Sequence, residues 1–229
     1  MSIYAWCEDS GSGFDFWKEI FSAIYPNIIV ETKLNNSRLR KAADSIENDG
    51  NEYYILMDSF IDNNDVLREI DGLKRGIKNK SNVHVIDVHS FEFVLLSFKS
   101  LIQWIFAEQD ELKEKRKNFI QARELLIEQT IQSSDVAKLE ELEKVFPYII
   151  THNVEQSAAE LLYQITRNTG FETDKGRLGE CFINSCCEWA SREADDFCGL
   201  DTNKLSADEK KIQILNESVL KSAFEKVGL

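Results

Sequence analysis

The sequence predicts an α/β protein: a small parallel-sheet domain over residues 1–98, followed by a mostly α-helical region over 99–229. Three observations carry this expectation. Short β-branched and aromatic runs alternate with segments of helical spacing in the first part, Pro26 separates one such helix from the next strand, and the chain from about Ser90 onward keeps helical spacing.

The first strand runs from Ser2 to Cys7 and ends at the polar, glycine-containing stretch Glu8 to Gly13. Phe14, Trp17, Ile20, Phe21 and Ile24 then fall at helical spacing, Pro26 stops that helix, and Ile28 to Val30 forms a second strand. A polar helix from about Ser37 to Asn48 leads through Gly50 to a third strand, Tyr53 to Met57, which ends at Asp58. A helix from about Asn64 to Lys78 and a fourth strand, Val83 to Val88, complete the alternation. Strands joined by single helices imply right-handed crossovers and a sheet covered on both faces.

Beyond this, Phe91 to Phe106 is strongly apolar, Gln109 to Gln132 is charged and rich in helix formers, and Pro147 marks a break. Amphipathic helices are predicted over Asn153 to Arg167 and Lys175 to Trp189. Ser206 with Glu209 offers a capping box for a closing helix through about Lys226.

Composition narrows the class. With 229 residues, 43% of them hydrophobic, the chain can bury an ordinary core, and its two prolines and ten glycines do not fit collagenous or linker-rich proteins. The net charge of −13 is spread over both halves, so broad attraction to nucleic acid is disfavoured unless a local basic patch or a divalent ion offsets it. No secretory signal pattern or membrane-length apolar run is present, and five cysteines, four of them late, do not form an extracellular disulfide framework. The expectation is a cytoplasmic protein with reduced thiols and no membrane partner.

Ligands of open parallel sheets settle at the carboxyl ends of the strands. Glu8 and Asp9 follow the first strand, Asp58 and Asp62 flank the loop after the third, and Asp87 with Glu92 brackets the end of the fourth. Hard ions such as Mg²⁺ take oxygen ligands, and Glu8 with Asp58 suits that role; the alternative is that these residues cap helices and fill loops, as Asp9 or Ser12 would at the first helix.

The stretches Tyr4-Ala5-Trp6-Cys7-Glu8 and Tyr53-Tyr54-Ile55-Leu56-Met57-Asp58 resemble the Toprim (topoisomerase-primase) superfamily, and within it the small Toprim-like nuclease effectors of bacterial anti-phage systems. The likeness covers about residues 2 to 98. It implies Mg²⁺ (or Mn²⁺) held by Glu8 and Asp58, with cleavage or transfer at a phosphodiester, and control by a protein partner such as an ATPase. The family's Asp-x-Asp is incomplete: position 60 is Phe60, and Asp62 is the nearest later carboxylate, a stand-in as metal ligand and catalytic group only if its loop folds back. Ser90-Phe91-Glu92 resembles a serine-and-glutamate stretch of some effectors, which adds Glu92 as a metal ligand. Nucleic acid, a protein partner and a second copy of the chain are the partners this reading admits. The rival is a Toprim-like protein that has lost catalysis and docks a partner through its helical half.

Other constellations carry less. Cys181, Cys186, Cys187 and Cys198 lack the spacing of a zinc knuckle, and buried free cysteines are the commoner reading. Lys113, Lys115, Arg116, Lys117 and Arg123 form the best basic patch, but interleaved acidic residues also fit a solvated helix face. Lys74, Arg75, Lys78 and Lys80 are equally open. His84 fits a strand face, and His89 at a strand end is a secondary metal or phosphate contact. Gly11 and Gly13 complete neither a P-loop nor a dinucleotide fingerprint.

Overall fold

The computed structural model of the chain describes all residues except 60–61, 108–109, 133–135, 187–199 and 201–203. Strands β1 (Ile3–Cys7), β2 (Ile28–Thr32), β3 (Glu52–Asp58) and β4 (Val83–Val88) form a parallel sheet in the order β2-β1-β3-β4. Helix α1 (Ser12–Ile24) links β1 to β2, α2 (Asn36–Asp44) carries the chain back past β1 to β3, and α3 (Asn64–Ile77) links β3 to β4. Each of these elements lies where its apolar spacing predicts, except that α2 ends at Asp44, short of the expected Asn48.

The chain steps one way from β1 and the opposite way thereafter, so crossovers of one hand must place α1 on one face and α2 and α3 on the other. Phe16, Trp17, Ile20 and Phe21 of α1 share a core with Ala5, Cys7, Leu56, Ile86 and Val88. Leu39 and Ala43 of α2 and Val66, Ile70 and Leu73 of α3 pack with Tyr53, Ile55, Met57 and Val83. Alternate strand residues thus serve opposite faces, as the two-residue period of a strand requires. Burying each large side chain of α1 contributes ~1.5–3 kcal/mol.

The remaining helices are α4 (Phe91–Ser97), α5 (Leu101–Phe106), α6 (Asp110–Lys115), α7 (Lys117–Gln132), α8 (Val136–Val145), α9 (Val154–Thr166), α10 (Glu180–Ile183), α11 (Ala207–Glu217) and α12 (Leu220–Glu225), with a 3₁₀ turn at Pro147–Ile150. They extend the core on the α1 face: α4 packs on α9, α11 packs on α1, and the Phe224 ring of α12 lies 5.3 Å from that of Phe21. A single apolar cluster therefore runs across residue 98. Among the described residues, no helix is long and apolar enough to cross a membrane.

Three stretches of the second part depart from their sequence pattern. The closing helix expected through about Lys226 breaks at Ser218, whose backbone is extended (φ −119°, ψ −178°), into α11 and α12. The apolar run from Phe91 breaks at Phe98, whose backbone leaves helical geometry (φ −59°, ψ 117°), so α4 and α5 are separate. The helix predicted from Lys175 is absent at its start. Asp174 and Arg177 form an antiparallel bridge, the Asp174 carboxylate accepts from Gly176 N at 2.8 Å, and among the described residues of this stretch only Glu180–Ile183 is helical. The local Asp-to-backbone bond competes with the helix. Gly179 also approaches Phe171 so closely that a Cβ there would sit 2.4 Å from the Phe171 carbonyl carbon.

Several cations, Arg116, Arg123 and Lys80 of the basic patches among them, are helix caps. Arg123 is buried and donates to Leu96 O at 2.6 Å and Phe98 O at 2.7 Å, closing the end of α4; burial pulls its guanidinium down to about 10, which leaves it charged. Arg116, also buried, donates to Ile165 O and to Arg167 O at the end of α9. Lys80 donates to the carbonyls of Ala43, Asp44 and Ile46 after α2, and Lys210, 1% exposed, donates to Cys181 O at 2.8 Å. Cations suit helix carboxyl ends because the unpaired carbonyls there carry partial negative charge. Replacing Arg123 by Met strands two buried carbonyls, at a cost of about 3 kcal/mol. The expected result in a thermal melt is a fall in Tm of roughly 6–12 °C, whereas an exposed-lysine control, Lys115→Met, should melt within about 2 °C of wild type.

Candidate functional site

The sheet topology places a crevice between the carboxyl ends of β1 and β3, where the chain path reverses. Because Cys7 pairs with Leu56 in the ladder, Glu8, the first residue past β1, comes close to Asp58, the last residue of β3. The Asp58 backbone N–H donates to Glu8 Oε1 at 2.5 Å, which fixes one oxygen of that carboxylate and leaves the other for a ligand. A cavity of about 640 Å³ opens here, lined by Glu8, Asp9, Asp58, Glu92 and Glu155 among others.

Each carboxylate has its own support. Asp9 accepts from Trp17 Nε1 at 3.0 Å and lies against the start of α1, where a Cβ on Gly13 would come 2.4 Å from Asp9 Cγ. Glycine at position 13 is what lets Asp9 fold onto that helix end, whose partial positive charge favours it. Glu92 sits in the first turn of α4, capped by Ser90, whose side chain accepts from Phe93 N; it is 8% exposed. Glu155 enters from the first turn of α9, which begins with a capping box of Asn153 and Gln156.

Asp62 behaves differently. Its Oδ2 accepts from Val154 N at 2.7 Å, so it caps α9 beside Glu155 and is absent from the cavity lining. Phe60 lies outside the described residues. Asp87 and His89 are turned to a smaller cavity on the other face, with Met57 and Leu73; Asp87 accepts from Ser59 Oγ at 2.9 Å, and His89 Nδ1 lies 3.0 Å from Ser59 O. His84 lies on the strand, 3.0 Å from Glu52. The structure thus brings Glu8, Asp58 and Glu92 together, adds Asp9 and Glu155, and leaves Asp62 at the α9 end.

Of the late cysteines, Cys186 Sγ accepts from Leu205 N at 3.3 Å, while Cys187 and Cys198 lie outside the described residues. Cys7 is buried beneath the site, and burial, with Asp9 and Glu8 nearby, pushes its thiol up to about 12. It is an inert core residue at neutral pH.

The carboxyls hold their protons unusually well. Burial pushes Glu8 up to about 8, against the opposing bond from Asp58 N, with Asp9 and Glu155 adding repulsion. Burial pushes Glu92 up to about 7, and Asp58 is driven well above the usual aspartate range by burial and then by Glu8, Asp9, Glu92 and Glu155. Asp9 is raised by burial, in part offset by Trp17. Glu8 and Asp58 titrate as a pair, each resisting the ionisation of the other.

Among the described residues, no three His, Cys, Asp or Glu side chains converge closely enough to hold an ion between them. The donor set is nonetheless all hard carboxylate oxygen, and Mg²⁺ commonly takes only one or two such ligands with water and phosphate completing its shell. Glu8 and Asp58 fit that need. No protein-family model, curated protein or solved structure matched the chain.

The raised carboxyls set the direction of pH dependence. The folded protein keeps protons on Glu8 and Glu92 that the unfolded chain releases near its ordinary glutamate value of 4.5. Stability is therefore greatest at the low end of that window and falls as pH rises from about 4.5 to about 8. In chelator, Tm should be higher at pH 6 than at pH 8 by roughly 5 °C, and Glu92→Gln should shrink that difference; equal melting at both pH values would contradict the site electrostatics.

Proposed function

We propose that the chain is a Toprim-like, Mg²⁺-dependent nuclease or nuclease-like effector acting on nucleic acid phosphodiesters, with Glu8 and Asp58 as the ion-holding pair. The observation that carries this reading is the hydrogen-bonded approach of Glu8 to Asp58 at the switch point of a parallel sheet, at the edge of a carboxylate-lined cavity. Partly buried carboxylates this close repel one another, and a divalent cation relieves the repulsion that protons relieve in its absence.

The residues divide the work by environment. Glu8 is oriented by the Asp58 N–H and presents one oxygen, with Asp58 beside it. Glu92, with a carboxyl near 7, is poised to take a proton from an attacking water or hydroxyl at neutral pH. Asp9, anchored by Trp17, maintains the negative field. A bound divalent ion supplies charge neutralisation of the phosphate and a more acidic water. The resemblance to defence effectors points to an anti-phage role under the control of a protein partner such as an ATPase.

A second reading is a catalytically silent interaction protein that docks a partner through its helical half. It is favoured by Asp62, which is spent on capping α9 where an active Asp-x-Asp would supply a further cavity carboxylate. Titrating Mg²⁺ and Mn²⁺ into wild type at pH 8 separates the two. The expected outcome is a rise in Tm of roughly 5 °C or more and cleavage of labelled DNA or RNA, both lost in Glu8→Gln and Asp58→Asn and kept in Asp62→Asn. Glu8→Gln without metal should melt above wild type, since it removes a buried charge and retains the acceptor for Asp58 N. Absence of any metal response in wild type would overturn the metal-dependent reading and leave the interaction reading in front.

A further inference from the structure

We propose that Lys175 is the phosphate-contacting residue of this site, the cation through which a single-stranded nucleic acid backbone is held at the carboxylate cavity. The inference rests on the nuclease-like reading above and names a residue from the helical half that the resemblance, confined to residues 2 to 98, does not reach.

The charged residues lining the cavity are Glu8, Asp9, Asp58, Asp65, Glu69, Glu92, Glu155 and Lys175. Lys175 is thus the one cation among the described lining residues. A lysine among carboxylates ordinarily pairs with one, yet Lys175 is exposed and forms no ion pair among the described residues, whereas Arg177, two residues on, pairs with Glu172 at 3.1 Å. Its ammonium is therefore available to an incoming anion.

Its backbone, by contrast, is held. The Asp174–Arg177 bridge and the Asp174 bond to Gly176 N make Lys175 the tip of a tight turn. The buried Ser12 hydroxyl, in the first turn of α1, donates to Lys175 O at 3.2 Å and ties that tip to the cavity wall. A fixed backbone with a free ammonium suits capture of a phosphate oxygen, which lysine meets as a point charge.

Lys175 also lines a second cavity of about 390 Å³ with Tyr148, Tyr163, Gln156 and the carboxylates of Glu160, Glu172 and Asp174, of which Glu172 is paired with Arg177 and Asp174 accepts from Gly176 N. The turn is shared by the two spaces, one rich in carboxylates and one bearing tyrosines and amide and carboxylate groups. A nucleotide strand crossing Lys175 would place a phosphate on the ammonium and a neighbouring base beside tyrosine rings and hydrogen-bonding groups that suit base edges. A double helix keeps its bases stacked inside and gains nothing from the second cavity.

The test is fluorescence anisotropy with a labelled ten-nucleotide dT strand in Ca²⁺ across a salt series, using wild type, Lys175→Met and Lys175→Arg, with Mg²⁺ melting shifts measured in parallel. Lys175→Met is expected to weaken binding about five- to tenfold and to lower the salt slope by about 0.7, the contribution of one single-strand phosphate contact. Lys175→Arg should restore most of both, and the Mg²⁺ shift should be unchanged or larger in Lys175→Met, because a positive charge has left the cavity. Wild-type affinity and salt slope in Lys175→Met would overturn the proposal. So would failure of wild type to bind the strand; a Mg²⁺ shift that persists in that case leaves the metal site standing, and its loss removes the nuclease-like reading as well.

Discussion

A parallel sheet of four strands has two apolar faces to cover, and here the connections cover them unequally. The order β2-β1-β3-β4 sends α2 and α3 to one face and α1 alone to the other. One helix cannot shield four strands, so the exposed remainder of the α1 face must be buried by chain from elsewhere. The helices from α4 to α12 do this, which is why the apolar cluster runs from Ala5 through Phe106 and Leu161 to Phe224 without interruption. The first and second parts of the sequence are thus bound by one core.

The same constraint builds the site. Strand order alone places Glu8 beside Asp58, since the crevice between oppositely directed crossovers falls between β1 and β3. Covering the α1 face brings α4 and α9 over that crevice, end-on, with Glu92 and Glu155 in their first turns. Asp62 fastens this arrangement from the sheet side by capping α9. Carboxylates that would be harmless on separate loops share one cavity, and burial raises the proton affinity of Glu8, Asp58 and Glu92.

Charge is distributed in keeping with this. In a chain of net charge −13, cations near the cavity could have neutralised the carboxylates. The buried Arg116, Arg123 and Lys210 and the half-buried Lys80 instead bind carbonyls at helix ends, where a cation satisfies unpaired backbone acceptors. The cavity keeps its negative charge, and with it an affinity for protons or a divalent ion.

The sequence by itself determined the four strands, their joining by single helices, and the placement of Glu8 and Asp58 at strand ends, because these follow from local periodicity and from the polar residues that end a strand. It also marked the capping box of Ser206 and Glu209, whose hydrogen bonds span only three residues. Only the tertiary structure decided that Glu155 and Lys175 join residues 8 and 58, that Asp62 turns to α9, and that Arg116 and Arg123 are interior caps. Each of these depends on contacts between segments about fifty to a hundred and sixty residues apart or on burial of a helix face, and Arg123 reads in sequence like any surface arginine until the carbonyls of Leu96 and Phe98 are brought to it. Local pattern reports which side of an element is apolar; it carries no information on which distant element will cover it, and the cavity is made where those coverings meet.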